Sequence, residues 1–521
     1  MQSLTLLQLA LFISALDATI VATAIPTITS TLGHSGSGYM WIGGAYLLAN
    51  AACGPIWAKC SDIWGRKCIL LVVVALFACA SVVAATSVSM NMLIAARALQ
   101  GVGAGGCTQL VFITISDLFS VRKRGLYLGL TELVWALAGG LGPILGGAFT
   151  QYVNWRWCFW VNLPVCGIAF VLLLVFLDVH NPKTKFADGI RAIDWFGTFA
   201  ILAVTIMLLL GLDFGGTIAP WDSPKVICLI VFGAVMILFF IFSEKRLATY
   251  PLMPLHMFNN RSTAAASVVT FCHGFVFIAA EYYLPLFFQS VKSASPLRSG
   301  VLLLPVTLST AAMGVVSGVV INSTGRYREI IWIGLALLTI GTGLYIMLDT
   351  STSVAKIVGF QIIGGAGSGC LFHPPLIAVQ ALVRQQDTAS ATATQGFIRC
   401  LSLSISIVLG GVIFQNSVNE RISNLLAKGD VSREVAASFS EGKAAASVEM
   451  IKDIVDVAER HQVRQTFAWG MRNMFITYTA VAFLGLAFSL MIRHAKLSQE
   501  HTETQTGIEK MSRRDDRGSG Q

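Results

Sequence analysis

The sequence predicts an all-α membrane protein of fourteen transmembrane helices, two bundles of six with an extra pair between them. Three observations predict it. The 521-residue chain is 55% hydrophobic and only 12% charged, whereas soluble domains carry about 25% charged residues. Its apolar runs recur at the length a bilayer demands, about 20 residues each. Two short motifs also occur twice, in the same order and at the same place in each half. The runs lie at 5–29, 41–58, 69–86, 92–116, 126–149, 158–177, 194–212, 225–243, 265–288, 299–322, 330–348, 356–380, 395–415 and 471–492.

The first unit, 1–177, holds spans 1–6. Its opening run passes straight into span 1 and contains Asp17 and Pro26, so it reads as a retained helix rather than a cleavable signal. The near absence of a tail before it reads as a shortened or a naturally short start. After span 2 the chain reads AKCSDIWGRK, with Asp62, Gly65 and Arg66. An acid and a base four residues apart, with a turn-permitting Gly between, predict an ion pair that latches helices in one state. Simple basic anchoring by Arg66 and Lys67 is the alternative. Arg97 lies inside span 4, with Gln100, Gly101, Ala104 and Gly105 along its face. A guanidinium does not easily neutralise, and in a span it costs about 2.5–3.5 kcal/mol and marks function by default. Snorkelling to the interface is the bland reading.

Span 5 carries AGGLGPILGG, residues 138–147. Pro143 removes a backbone hydrogen bond and favours a bend. Gly139, Gly142, Pro143, Gly146 and Gly147 share one helical face, nearly bare backbone suited to close packing. Leu141, Ile144 and Leu145 lie opposite and suit lipid. Trp155, Trp157 and Trp160 beyond it read as an interfacial belt.

A linker unit, 178–264, holds spans 7 and 8, and the second six-span unit runs over 265–493. After span 10 it reads GVVINSTGRY, where Asn322, Gly325 and Arg326 repeat the D/N-x-x-G-R spacing of Asp62, Gly65 and Arg66. Within span 12, GGAGSGC (Gly364 to Cys370) echoes QGVGAGG (Gln100 to Gly106) of span 4. Two motifs in register imply parallel six-helix repeats with a substrate site between the halves near the midplane. Residues 416–470 read as a long outer loop, solvated or folded as a surface helix from the spacing of Val448, Ile451, Val455 and Ala458. Residues 494–521 read as a disordered cytoplasmic tail.

The formal charge of +9 is distributed as a membrane protein distributes it. Short loops on one side hold roughly fifteen Lys and Arg, those on the other about five, the positive-inside asymmetry. It places both termini in the cytoplasm and argues against nucleic acid. The eleven Cys lie in or at the ends of spans without a CxxC pair, so they read as small hydrophobes rather than metal ligands. GVGAGG sits inside a span rather than after a strand, which argues against a dinucleotide site. No phosphate-binding GxxxxGK[ST] is present. No enzyme chemistry, cofactor or metal is expected.

Three acids lie within spans: Asp17, Glu132 and Glu281. A carboxyl withdrawn from water holds its proton more tightly, so each is a candidate proton carrier, or else a static partner for Arg97 or Arg399. Gln100, His273, Tyr282 and His373 are candidate pocket residues, although an embedded His more often serves packing. Gln380 reads as interfacial.

The motifs together resemble the major facilitator superfamily, and within it the fourteen-span drug:proton antiporter branch that includes fungal toxin and multidrug efflux pumps. LDATIVATAIP, SDIWGRK, RALQGVG and GPILGG followed by WRWCFWVNLP carry the resemblance. Ala58, Cys60 and Asn322 depart from the family's usual loop pattern. The resemblance implies the major facilitator fold and proton-coupled export of a drug-like or secondary-metabolite compound by alternating access. It assigns Arg97 a role in proton coupling and the Gly139–Gly147 face to antiport. It implies a monomer in the plasma membrane, with the vacuolar membrane as alternative, whose partners are lipid, protons and a small organic substrate. An importer or uniporter of a metabolite or siderophore on the same fold remains an alternative, and a non-transporting sensor a further one.

Overall fold

In lipid every backbone polar group must be satisfied within the chain, so the spanning segments become helices. The computed structural model describes residues 2–32, 36–182, 184–215, 219–253, 255–439, 448–499 and 507. Fourteen long helices are present among them. We number them α1 (Gln2–Ile20), α2 (Gly36–Trp64), α3 (Arg66–Ala85), α4 (Met90–Leu118), α5 (Val121–Tyr152), α6 (Trp157–Phe176), α7 (Trp195–Phe214), α8 (Pro224–Arg246), α9 (Arg261–Ser290), α10 (Pro296–Thr324), α11 (Arg328–Tyr345), α12 (Val354–Gln380), α13 (Thr388–Lys428) and α14 (Val457–Ser489). Twelve of these are long and apolar enough by themselves to cross a membrane; α1 adds a shorter apolar stretch, Leu4–Ile20.

Local chemistry sets several boundaries. Ser89, Asn260, Ser295 and Asp456 accept backbone N–H groups at the starts of α4, α9, α10 and α14. Gly325 (φ 74°) and Gly429 (φ 80°) close α10 and α13 in the left-handed conformation. α12 is interrupted between Gly369 and Pro374, where Pro374 and Pro375 lack the N–H groups that would continue the ladder.

The repeated glycine motif does the same work in both halves. A methyl on Gly101 would strike the Tyr46 carbonyl, and one on Gly105 would lie 2.5 Å from the Asn50 carbonyl, so α4 lies directly on α2. In the second half a Cβ on Gly365 would lie 2.5 Å from the Val306 carbonyl and one on Gly369 would strike the Thr310 carbonyl, so α12 lies directly on α10. Gly103 packs on α3 and Gly367 on α11. Each motif therefore seats one helix against two others.

The GPILGG face is divided. Gly142 and Gly146 press on Thr19 and on the Ile20 carbonyl of α1, where α1 gives way to a 3-10 turn over Val21–Thr23. Thr19 Oγ1 donates to the Ala138 carbonyl at 2.9 Å. Gly139 and Gly147, expected on the same packed face, have nothing within 4 Å of where a Cβ would lie. The α5 helix runs unbroken through Pro143, and Ile144 is 68% exposed. Trp155, expected at the interface, is buried with Cys158 and Phe159.

Between the halves, α5 crosses α10. Gly129 packs on the Gly314 carbonyl (2.8 Å to an added Cβ), and Gly318 abuts the Gly125 carbonyl. The extra pair and the segments flanking it are fastened to α2: Trp41 meets Phe214 of α7 edge-on at 6.1 Å, Trp64 stacks on Phe186 before α7 at 5.9 Å, and Lys59 Nζ donates to the carbonyl of Pro251 after α8 at 3.3 Å. Phe397 of α13 packs on the same pair, against Ala200, Ile201 and Phe240.

The segment 416–470 is largely helical. α13 is 41 residues long, which at about 1.5 Å per residue is twice the hydrocarbon thickness. Val418, Ile422 and Leu425 form a buried stripe that carries the helix past the bilayer. The short helix Arg433–Phe439 folds back so that Phe439 meets Phe467 of α14 at 5.7 Å. Most of the tail after 499 lies outside the described residues.

Close approach without a side chain gives a direct test. Gly146→Ala forces α5 away from the Ile20 backbone and is expected to destabilise by about 1–3 kcal/mol. Gly147→Ala, which meets open space, is expected to stay within about 0.5 kcal/mol. Thermal denaturation of the purified variants in detergent compares them.

Candidate functional site

Three polar assemblies stand out in an otherwise apolar molecule. The first is sealed inside the first bundle. Asp17 (0% exposed) and Arg97 (2%) form an ion pair, Nη1 to Oδ2, at 2.5 Å. Arg97 Nε donates to the Ile42 carbonyl (3.1 Å) and Nη1 also to Gln100 Oε1 (2.9 Å). The other carboxylate oxygen accepts from Asn162 Nδ2 (2.8 Å) and Gln100 Nε2 (3.2 Å), and Gln100 also donates to Ser81 Oγ (2.9 Å). The guanidinium lies 4.3 Å from the centre of the Tyr46 ring, a cation–π geometry. Five helices, α1 to α4 and α6, thus meet on one buried charge pair. Arg97 does not snorkel outward. Gln100, expected to line the substrate pocket, is instead spent on this network. Sequence reasoning missed Asn162, Ser81 and Tyr46; an Asn in the apolar WVNLP run was the available signal.

The second assembly is the loop after α2. Gly65 (φ 94°) turns the chain, and an added Cβ would sit 2.9 Å from Pro182. Arg66 reaches Asp62 at 2.6 Å, Asp117 at 2.7 Å and Ser61 Oγ at 2.5 Å. The pair expected from the sequence therefore has a third member, Asp117 at the end of α4, and it ties α2, α3 and α4 within one bundle. The second-half copy is not equivalent. Arg326 is exposed and joins no ion pair among the described residues. The carbonyl of Asn322 serves instead as an acceptor for Arg122 Nε at 2.9 Å.

That last contact belongs to a seam between the bundles, on the face that carries both loop motifs. Arg122 also donates to the Ser323 carbonyl. Arg124, buried at the start of α5, donates to Gln380 Oε1 (3.1 Å) and Gln385 Oε1 (3.2 Å) of the second half. Gln380, expected at the interface with water, is buried and donates back to Ser116 Oγ of α4 at 2.9 Å.

The third assembly lies deeper in the same seam. Glu132 Oε1 accepts from His373 Nε2 at 2.9 Å, with Thr131 Oγ1 3.2 Å from the same nitrogen. Among the described residues this is the single acid–base pair that joins the two bundles. His273 is fully buried and bonded to Ser368 Oγ at 2.9 Å. Glu281 stands apart in α9, with the Thr307 hydroxyl 3.4 Å away. Tyr282 is half exposed and meets Tyr283 edge-on at 5.0 Å. The candidate residues thus divide among distinct places rather than forming one unit. Among the described residues no cluster of His, Cys, Asp and Glu is suited to a metal.

The buried pair predicts an asymmetry. Removing Asp17 strands a guanidinium that cannot shed its charge, whereas removing Arg97 leaves a carboxyl that can take up a proton. Asp17→Leu is expected to cost about 3–5 kcal/mol, Arg97→Leu clearly less, and the double variant less than Asp17→Leu. A double-mutant cycle on thermal stability reads the order.

The profile of the Major Facilitator Superfamily matches residues 7–407 of this chain. The chain is similar to the efflux pump dotC of Dothistroma septosporum, 45% identical over 97% of this chain and 86% of the relative. It is similar to the MFS-type transporter ppz2 of Metarhizium majus, 43% identical over 96% and 86%. It is also similar to the acurin A biosynthesis cluster MFS-type transporter of Aspergillus aculeatus, 36% identical over 94% and 89%. Among solved structures, the human organic anion transporter MFSD10 superposes with a TM-score of 0.60 at 15% identity, covering 94% of this chain and 99% of the other. The proton:xylose symporter XylE superposes with a TM-score of 0.56 at 14% identity, covering 90% and 98%.

Proposed function

The chain belongs to the major facilitator superfamily, and we propose that it exports a drug-like or secondary-metabolite compound in exchange for protons by alternating access. The relatives named as efflux pumps support export. The observation that carries the coupling is the Glu132–His373 pair, which joins the bundles on the motif-bearing side of the membrane centre. The tight glycine crossings of α5 and α10 fall on that same side, at residues 125–129 and 314–318, while Gly139 and Gly147 farther along α5 face open space. This fits a molecule closed on the motif face, which we place in the cytoplasm of a plasma-membrane protein.

A cycle follows from the chemistry. A proton reaching Glu132 from the open side removes the charge that holds His373. The seam loosens, the bundles part on the motif face, and the acid releases its proton there. The substrate loads in its place, and the recharged carboxylate draws the bundles together again. Arg122 and Arg124, which among the described residues donate only to neutral acceptors, hold the seam without blocking its release. Asp17, Arg97 and Glu281 remain in the proposed coupling set. Asp17 and Arg97 are the charged centre on which α1 is hung, and Glu281 is an acid with a hydroxyl for company, open to a second proton. The Asp62, Gly65 and Arg66 loop keeps α2 to α4 moving as one body.

The test uses sealed vesicles from expressing cells with an imposed pH gradient. Substrate accumulation on the acidic side, abolished by a protonophore, is expected. Glu132→Gln is expected to cut proton-driven accumulation at least about tenfold, while substrate counterflow without a gradient persists. Normal proton-driven export by the Glu132, Glu281 and Asp17 amide variants would sink the coupling assignment.

A further inference from the structure

The seam holds a cation that the coupling cycle does not use. Arg399 is the twelfth residue of α13, about 17 Å along the helix from its start and so near the middle of the hydrocarbon. A Cβ added to Gly274 of α9 would lie 3.5 Å from the Arg399 stem. One turn earlier, Gly396 is pressed by the Gln109 amide of α4, so this stretch of α13 faces the first bundle. Arg399 is itself only partly buried.

The side chain is under-employed. One Nη2 donates to the carbonyl of Phe372, a group freed by the interruption of α12. Its Nε is buried without a hydrogen-bond partner. Among the described residues no carboxylate pairs with it, and Glu132 is turned to His373. A guanidinium offers five donors and keeps its charge, so unmet donors there are costly unless a ligand meets them. His273 Nδ1 and Gln109 Oε1 are likewise buried and unpartnered.

Aromatic rings surround the charge. The guanidinium lies 5.0 Å from the centre of the Phe372 ring. Phe372 stands edge-on to His273 at 4.9 Å and to Phe277 at 5.0 Å. Rings that meet at near right angles leave flat faces for a further ring. Interrupted helices at the junction of the repeats are where transporters of this architecture bind. We propose that Arg399, Phe372, Phe277 and His273 form the head subsite for the exported compound. It takes an aromatic molecule whose ring carries an ionised acidic group, a carboxylate or phenolate. The charge fixes the acidic group through a forked hydrogen bond, and the rings select a planar body. The inference rests on the export reading only for the direction of transport.

The test is equilibrium binding to the purified full chain, with 2-naphthoate and its methyl ester as probes. The wild type is expected to bind the acid at least about tenfold more tightly than the ester. Arg399→Gln should lose the acid preference while ester affinity stays within about twofold. Arg399→Lys, which keeps charge but not the fork, should retain part of the preference, and it shows that the site survives substitution. Phe372→Leu should weaken both probes. A wild type without acid preference, or an Arg399→Gln variant that keeps it, overturns the proposal. Proton-driven uptake of the bound probe is measured separately. Acid-selective binding without pH-driven transport would overturn the export reading and leave the subsite standing.

Discussion

Helices dissolved in lipid have no hydrophobic drive toward one another, so a bundle is only as firm as its closest backbone approaches. Here those approaches are glycines placed in two registers of one repeated motif. Gly101 and Gly105 bring α4 onto α2, and Gly365 and Gly369 bring α12 onto α10. The two seats fasten each half by the same kind of crossing. The three polar assemblies among the described residues lie either inside one half or across the seam between the halves.

The three embedded acids show the difference. Asp17 is enclosed within a half by a guanidinium and two amides. That full set of partners is what lets a charge stay under lipid at all. Glu132 has its partner in the opposite half, so its bond strength is a force between bodies. Among the described residues Glu281 has only a hydroxyl. The same residue type therefore joins helices within one half in one place and the two halves in another, and the location of the partner decides which.

Much of this was legible in the sequence. The span count, the two-fold repeat and the Asp62–Arg66 pair follow from periodicity and spacing, because local pattern and helix length are set by nearby residues. Asp17 and Arg97 could each be singled out because charge in hydrocarbon is costly wherever it lies. Their mutual contact could not be read, since 80 residues separate them. For the same reason Gln100 read as a pocket residue, Gln380 as interfacial, and Asn162 went unnoticed: an amide does not announce its partner. The two glycines that meet open space read like the two that pack, because one helical face spans more than one neighbour. The helical run past residue 415 was hidden by its polar face, which in water is as good a helix as an apolar one in lipid.

An acidic substrate at Arg399 would change the energetics of the exchange. For a neutral compound, one proton falling through about 100 mV and one pH unit supplies about 2.3 plus 1.4 kcal/mol, enough for a gradient of about 2.7 decades. If the compound leaves as an anion, its outward movement and the proton's inward movement carry charge in the same sense. The voltage then acts twice, and the drive rises to about 6 kcal/mol, or more than four decades. A cation that selects such a substrate would thus tie export to membrane potential. A resident carboxylate paired with Arg399 would cancel this advantage by competing with the ligand. In the closed seam Glu132, the neighbouring acid, is turned to His373 rather than to Arg399, so one hydrogen bond joins the bundles and keeps the acid off the cation.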